Sequence, residues 1–183
     1  MTNVKLNPNI QTVLIFLLFV LVCIPLFQDL GFLTIRNWDE SRNIINAYEM
    51  YQNGNWLVPH FHGKPDMWNT KPPLLFWTQV ISMKIFGLNE LAFRLPSAFA
   101  ALFTCGILFF FLKRYLGNIY IAIFSLMILI SSTGYVRIHV TRSGDFDALL
   151  ILFTTISALS FFLALNYKKP KFIYLFYIAI TFA

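Results

Sequence analysis

Two adjacent carboxylates, Asp39 and Glu40, are followed at short range by Arg42 and then by a lysine set before two prolines, in the run Lys71-Pro72-Pro73-Leu74-Leu75-Phe76-Trp77. These residues belong to a polar island, from Arg36 to Trp77, that interrupts a strongly apolar chain. A second polar stretch, Arg137 to Asp147, supplies Arg142, Asp145 and Asp147, and Arg94 lies between the two. An acid able to take a proton, beside cations able to cradle a phosphate, is a combination suited to chemistry at a bilayer surface.

Each of these residues also has a plainer reading. Asp39 opens a weakly amphipathic segment, with Ile44, Ala47, Tyr48 and Tyr51 on one face, so it is either a helix cap or a general base. Ionisable groups at membrane depth are functional candidates, which favours the second role when cations stand nearby. Arg42, Lys71, Arg94 and Arg142 would individually serve as snorkelling cations at the ends of spans. As a group they read as a phosphate cradle, the arginines giving bidentate contacts and the lysine a point charge. Pro72 and Pro73 start a helix and hold Lys71 extended before it. His60 and His62 have no third ligand near them in sequence, so no metal site is assigned to them. Asp145 and Asp147 could share a divalent cation through carboxylate oxygens, which leaves a metal cofactor possible without making one certain.

The elements that must position these groups are membrane helices. The chain is 58% hydrophobic and 12% charged, with a mean hydropathy of +0.67, which a water-exposed globular surface does not tolerate. Its net charge of +6 follows from the positive-inside rule and implies no nucleic acid. Cys23 and Cys105 sit inside apolar runs and read as packing residues, with no disulfide. The run from Val13 to Phe27 is followed by Gln28-Asp29-Leu30-Gly31 and not by a small-residue cleavage site, so it reads as an uncleaved first span.

Further spans are predicted at Leu91 to Leu112, Ile119 to Val136 and Ala148 to Tyr167, since a helix needs about 20 residues to cross the hydrocarbon. Another begins at Phe172 and runs to the last residue, so residues 1–183 read as the N-terminal part of a larger helical domain. The Pro72 to Phe86 segment is short, starts with two prolines and carries Lys84, which favours an interfacial or re-entrant helix. Residues 34–90 then form an external loop with juxtamembrane helices. Under this topology Lys5, Lys113-Arg114 and Lys168-Lys169 all face the cytoplasm, and the two polar stretches share the external face. Asp39 and Asp147 can then line one cavity.

Taken in order, Asp39-Glu40-Ser41-Arg42, Gly54-Asn55-Trp56-Leu57-Val58-Pro59, Lys71-Pro72-Pro73-Leu74-Leu75-Phe76-Trp77, Phe86-Gly87 with Arg94-Leu95-Pro96-Ser97-Ala98, and Arg142 with Asp147-Ala148-Leu149-Leu150 resemble the N-terminal part of bacterial polyprenyl-phosphate-sugar glycosyltransferases. The pattern is most similar to the aminoarabinose transferases that modify lipid A and to the protein O-mannosyltransferases. The resemblance implies an all-α integral membrane protein of the GT-C type in a bacterial inner membrane, with its site facing the periplasm. It implies a polyprenyl-phosphate-linked sugar as donor and a lipid, glycan or protein as acceptor. By the same resemblance Asp39 is the acid-base position with Glu40 beside it, Lys71 and Arg94 touch the carrier phosphate, and Asp147 is a second acidic position. Such a reaction needs one base and a cation cradle, because the leaving group is already a phosphate, and single displacement inverts the anomeric carbon. The competing class is a transporter subunit or lipid-binding scaffold, which would carry polar residues at mid-span. Ser131-Ser132-Thr133-Gly134 is the run nearest to that description and reads more simply as helix packing.

Overall fold

The computed structural model describes residues 7–137 and 139–183. Lys5, used above to orient the chain, and Ile138 of the second polar stretch lie outside them. The first helix, α1 (Pro8–Phe27), starts where the Asn7 side chain accepts the Asn9 N–H at 3.1 Å. That contact satisfies one of the donors a helix start leaves open. Leu18, Val22 and Leu26 face inward while Phe16, Leu17 and Phe19 face outward, as expected for a helix with lipid on one side.

Helix α4 (Glu90–Leu116) is the central member of the bundle. Asn89 caps it by accepting the Ala92 N–H at 2.9 Å, and Lys113 and Arg114 occupy its last turn, where cations offset the negative end of the helix dipole. Its Ala101, Cys105 and Phe109 pack on Leu18, Val22 and Leu26 of α1 and on Ala122 and Leu126 of α5 (Ile119–Ser131). Ala100 packs on Ala148 and Leu152 of α6 (Asp147–Tyr167). Further along, the α4 rings of Phe111 and Tyr115 meet Phe162 of α6, so α4 and α6 run side by side in one direction. The final helix, α7 (Pro170–Phe182), returns against α6. Cys105 is buried and Cys23 half-buried, and both are free thiols.

Among the described residues three helices, α1, α4 and α6, are long and apolar enough to cross a membrane. The span expected from Ile119 to Val136 is shorter as a helix. It stops at Ser131, with Ser132 extended, and its 13 residues rise only about 20 Å at 1.5 Å each, against a hydrocarbon layer of about 30 Å. The Ser131–Gly134 run therefore marks a helix end and the turn after it, and is not the mid-helix packing contact expected from sequence. The chain completes its return in the turns that follow, where the Tyr135 hydroxyl donates to the Ala101 carbonyl at 2.8 Å and the Thr141 hydroxyl to the Tyr135 carbonyl at 3.0 Å. Non-helical backbone at that depth needs such partners from the protein itself.

Between α1 and α4 lie α2 (Asp39–Asn53), a two-stranded antiparallel hairpin of β1 (His60–Phe61) and β2 (Lys64–Pro65), and α3 (Leu74–Phe86). Residues His62 and Gly63 turn the hairpin with positive φ at both positions, the geometry of a tight two-residue connection. Helix α2 buries Ile44, Ala47 and Met50 against Phe76, Val80 and Met83 of α3 and Ala92 and Phe93 of α4. Tyr48, assigned to that face from sequence, is exposed. The Trp77 indole of α3 donates to the Trp56 carbonyl, and the Lys84 ammonium lies 5.2 Å from the Trp56 ring, which ties the loop after α2 to α3.

Candidate active site

The buried face of α2 also carries Glu40, Asn43 and Asn46, and such polar groups stay buried only when each finds a partner. Glu40 finds Arg94. The Arg94 Nε donates to Glu40 Oε1 at 2.6 Å and its Nη2 to Oε2 at 3.1 Å. Nη1 reaches the carbonyls of Leu30 and Leu33, and Nη2 that of Thr34. A guanidinium has five N–H donors, and these five contacts use all of them. Side-chain exposure is 2% for Arg94 and 1% for Glu40. The carboxylate further accepts the backbone N–H groups of Arg36 and Gly144. Burial alone would raise the Glu40 carboxyl, but the Arg94 guanidinium and the two N–H groups outweigh it and hold it below the usual range. The sequence reading placed Glu40 among the catalytic acids and Arg94 on the carrier phosphate. In the structure the two side chains are hydrogen-bonded to each other, at the junction of α2, α4 and the turn leaving α1.

That junction receives the second polar stretch. The Gly144 carbonyl accepts from Asn43 of α2 at 3.4 Å and from Gln79 of α3 at 3.3 Å. A side chain at position 144 would have its Cβ 2.8 Å from Gln79 Nε2 and 3.3 Å from the Phe93 carbonyl oxygen, so any larger residue would have to displace the Gln79 amide and crowd the α4 backbone. Asp145 is buried, accepting from Asn43 at 3.1 Å and from the Ser143 hydroxyl at 2.6 Å, with His139 Nδ1 3.4 Å away. Burial pushes its carboxyl up; Ser143 and His139 oppose this, while the charges of Glu40 and Asp39 add to it.

Phe146 follows, its ring 5.5 Å from that of Phe76 and 4.6 Å from the Lys71 ammonium. Asp147, exposed, begins α6. Lys71, Asp147 and the apolar side chains of Leu74, Leu75, Leu149 and Leu150 line a cavity of about 200 Å³. Asp39 is not in that lining. It is the first residue of α2, exposed, and near enough to Asp145 for its charge to act there. No side chain caps α2, and Trp38 before it has φ 88°. Positive φ in a bulky residue is strained and needs support from its surroundings. The capping reading of Asp39 is thus not what this helix start shows.

Arg42 and Arg142 are placed differently from Lys71. Arg42 makes a two-point contact with Asp66 and lies over the Phe61 and Trp68 rings. Its hydrogen bonds hold the Asp66 carboxyl below its usual range against the effect of burial. Asp66 also accepts from Asn46, which donates to the His60 carbonyl as well. Arg42 therefore fastens the hairpin to α2. Asp66 is visible in the sequence as one of the charges of the polar island, but neither its pairing nor Asn46 is legible there, because a hairpin of two-residue strands has too short a pattern to be read. Arg142 donates to the Gln28 carbonyl at 2.8 Å, pinning the loop to the end of α1. The His60 ring contacts the Val58 carbonyl, and among the described residues no group of three or more His, Cys, Asp or Glu side chains could hold a metal ion.

The profile of the dolichyl-phosphate-mannose-protein mannosyltransferase family matches residues 70–183. The chain belongs to this family. It is 30% identical over 171 residues to the undecaprenyl phosphate-alpha-4-amino-4-deoxy-L-arabinose arabinosyl transferase of Wigglesworthia glossinidia brevipalpis, covering 92% of this chain and 28% of that one. To the enzyme of the same name from Shewanella sediminis it is 29% identical, covering 78% of this chain and 26% of the other. The crystal structure of ArnT from Cupriavidus metallidurans bound to undecaprenyl phosphate superposes with a TM-score of 0.73 at 21% identity, over 81% of this chain and 27% of that one. Family membership and this superposition identify the fold as a GT-C helical membrane fold. The chain spans about a quarter to a third of the length of the relatives it matches.

Proposed function

We propose that these residues form part of the donor site of a membrane glycosyltransferase that moves a sugar from a polyprenyl-phosphate carrier to a lipid, glycan or protein acceptor. The observation that carries this reading is the cavity in which the side chains of Lys71 and Asp147 stand beside those of Leu74, Leu75, Leu149 and Leu150. A phosphate with a hydrocarbon tail has that same division of character. Lys71 is the cation assigned to the carrier phosphate, where a positive charge stabilises the charge that grows on the leaving group. Asp39, exposed at the start of α2, is assigned as the base that takes the acceptor proton, and Asp147 as the second acidic group. Attack by the acceptor oxygen on the anomeric carbon breaks the bond to the phosphate oxygen. The proton passes to Asp39, the electron pair leaves with the phosphate, and the configuration inverts.

The site is assigned to the periplasmic face. Asp39, Lys71 and Asp147 lie at one end of the bundle, while Lys113-Arg114 and Lys168-Lys169 lie at the other, which the positive-inside rule puts in the cytoplasm. Reporters placed after Gly117 and after Gly144 should accordingly report cytoplasm and periplasm. The activity is tested by incubating purified full-length protein with a polyprenyl-phosphate sugar and following release of the polyprenyl phosphate with and without acceptor. Release that depends on the protein supports the reading, and a donor left intact across lipid, glycan and protein acceptors overturns it.

A further inference from the structure

Two residues in the second polar stretch, Gly144 and Asp145, are joined to three different helices at once. Gly144 gives its N–H to Glu40 of α2 and its carbonyl to Asn43 of α2 and Gln79 of α3. The backbone carbonyl of Asp145 accepts the Ser97 hydroxyl of α4 at 3.1 Å. The Asp145 carboxylate then returns to α2, where it accepts from Asn43, one helical turn beyond Asp39. All of these contacts are buried. What the segment delivers next in the chain is Phe146, under the Lys71 ammonium, and Asp147 at the cavity rim.

We propose that Asp145 is a positioning residue, whose carboxylate, clasped by Asn43 and Ser143, fixes the Lys71–Asp147 cavity in place relative to Asp39. This rests on the function proposed above. Asp145 touches neither Lys71 nor the cavity, so it acts through Phe146 and Asp147. A buried carboxylate is costly compared with an amide or an apolar side chain. The groups that face it are the Asn43 amide, the Ser143 hydroxyl and His139 from its own loop, with Glu40 and Asp39 acting on it from α2. Glu40 is already paired with Arg94. His139 holds φ 80° while its N–H donates to Ser143 Oγ at 2.8 Å, so the backbone of this loop is itself bent around the Ser143–Asp145 contact.

The test uses full-length protein with Asp145→Asn, Asn43→Asp and the exchanged pair Asn43→Asp/Asp145→Asn, in which an amide and a carboxylate still face each other with their positions reversed. Two quantities are read. Spin labels at the exposed positions 67 and 158, in a Cys23→Ser, Cys105→Ala background, report the distance from the α2–hairpin unit to α6. Transfer kinetics report kcat and the donor KM separately. Asp145→Asn should shift or broaden the distance distribution and lower kcat about 10-fold or more, since small misplacements of reacting groups cost about that much and upwards, while the donor KM moves less than kcat. The exchanged pair should recover both readings toward the native values. An unchanged distance distribution in Asp145→Asn overturns the proposal, as does a native kcat in that variant or an exchanged pair no better than Asp145→Asn alone. If the native protein shows no transfer, the proposed function falls by itself, and the label distances alone decide whether Asp145 positions the loop. Should Asp145→Asn not insert stably, Ser143→Ala, which removes one hydrogen bond to the same carboxylate, is held to the same two readings.

Discussion

Replacing Arg94 distinguishes a strut from a substrate contact. In Arg94→Met the guanidinium that serves both Glu40 oxygens and the carbonyls of Leu30, Leu33 and Thr34 is gone, leaving a carboxylate of 1% exposure without its counter-charge. Breaking a buried ion pair from one side costs about 3–5 kcal/mol. Each carbonyl orphaned in the interior adds to this on a scale of about 1–3 kcal/mol, less whatever local relaxation recovers. The loss is therefore expected at or above the upper end of the ion-pair range. Arg94→Lys should recover only part of it, because an ammonium has three donors and no planar fork. The assay is reversible unfolding of the purified protein in a mixed-micelle denaturant titration, run beside Glu40→Gln, Lys71→Ala and the double variant Arg94→Met/Glu40→Gln. The double variant should be less destabilised than the two single losses added together, since each single change already breaks the shared pair. Lys71→Ala gives the contrast. Its ammonium makes a contact with the Phe146 ring at an exposed position, worth about 0.5–1 kcal/mol, so stability should barely change while donor use weakens. An Arg94→Met protein as stable as native, but impaired in donor binding, would refute the strut and return Arg94 to the phosphate.

Asp39→Asn should insert and unfold as the native protein does, since no hydrogen bond of the helix start depends on the carboxylate, yet lose transfer by about 100-fold or more; near-native transfer would remove Asp39 as the base and leave Asp147 to be tested. Gly144→Ala should destabilise by about 1–3 kcal/mol through overpacking against Gln79 and the Phe93 carbonyl, and relief of that loss by the added change Gln79→Ala, read in the same denaturant titration, would identify the clash. Acid should act with two signs. Glu40 and Asp66 have lowered folded values, so the stability they contribute is complete above the ordinary carboxylate range of about 3.9–4.3 and is lost as pH falls through their folded values. Asp145 has a raised folded value, so its cost to stability disappears as pH falls through that value. Thermal stability in detergent should thus reach a maximum on the weakly acidic side and fall steeply below it, and a continuous rise down to pH 3 would contradict the assignments.

The sequence by itself determined the class of this protein and the positions of its long helices. Continuous apolar runs of spanning length have few other structures open to them in lipid, and α1, α4 and α6 are found where those runs lie. It also identified the polar stretches that meet at one end of the bundle, because basic clusters beside spans constrain which loops share a side. The short elements were less legible. The hairpin is too brief to have a pattern, and α5 ends at Ser131, where a run of small polar residues is as compatible with packing inside a longer span as with a helix end. What only the tertiary structure decided is which charges are used internally. In sequence, Glu40 looks as available as Asp39, and Arg42 and Arg94 look as available as Lys71. Availability depends on what lies opposite in space, and Arg94 meets Glu40 across 54 residues of chain, Gly144 meets it across 104, and Arg42 meets Asp66 across 24. A charge buried on folding must be neutralised where it lies, so those residues become the frame, while the same packing leaves Asp39, Lys71 and Asp147 exposed.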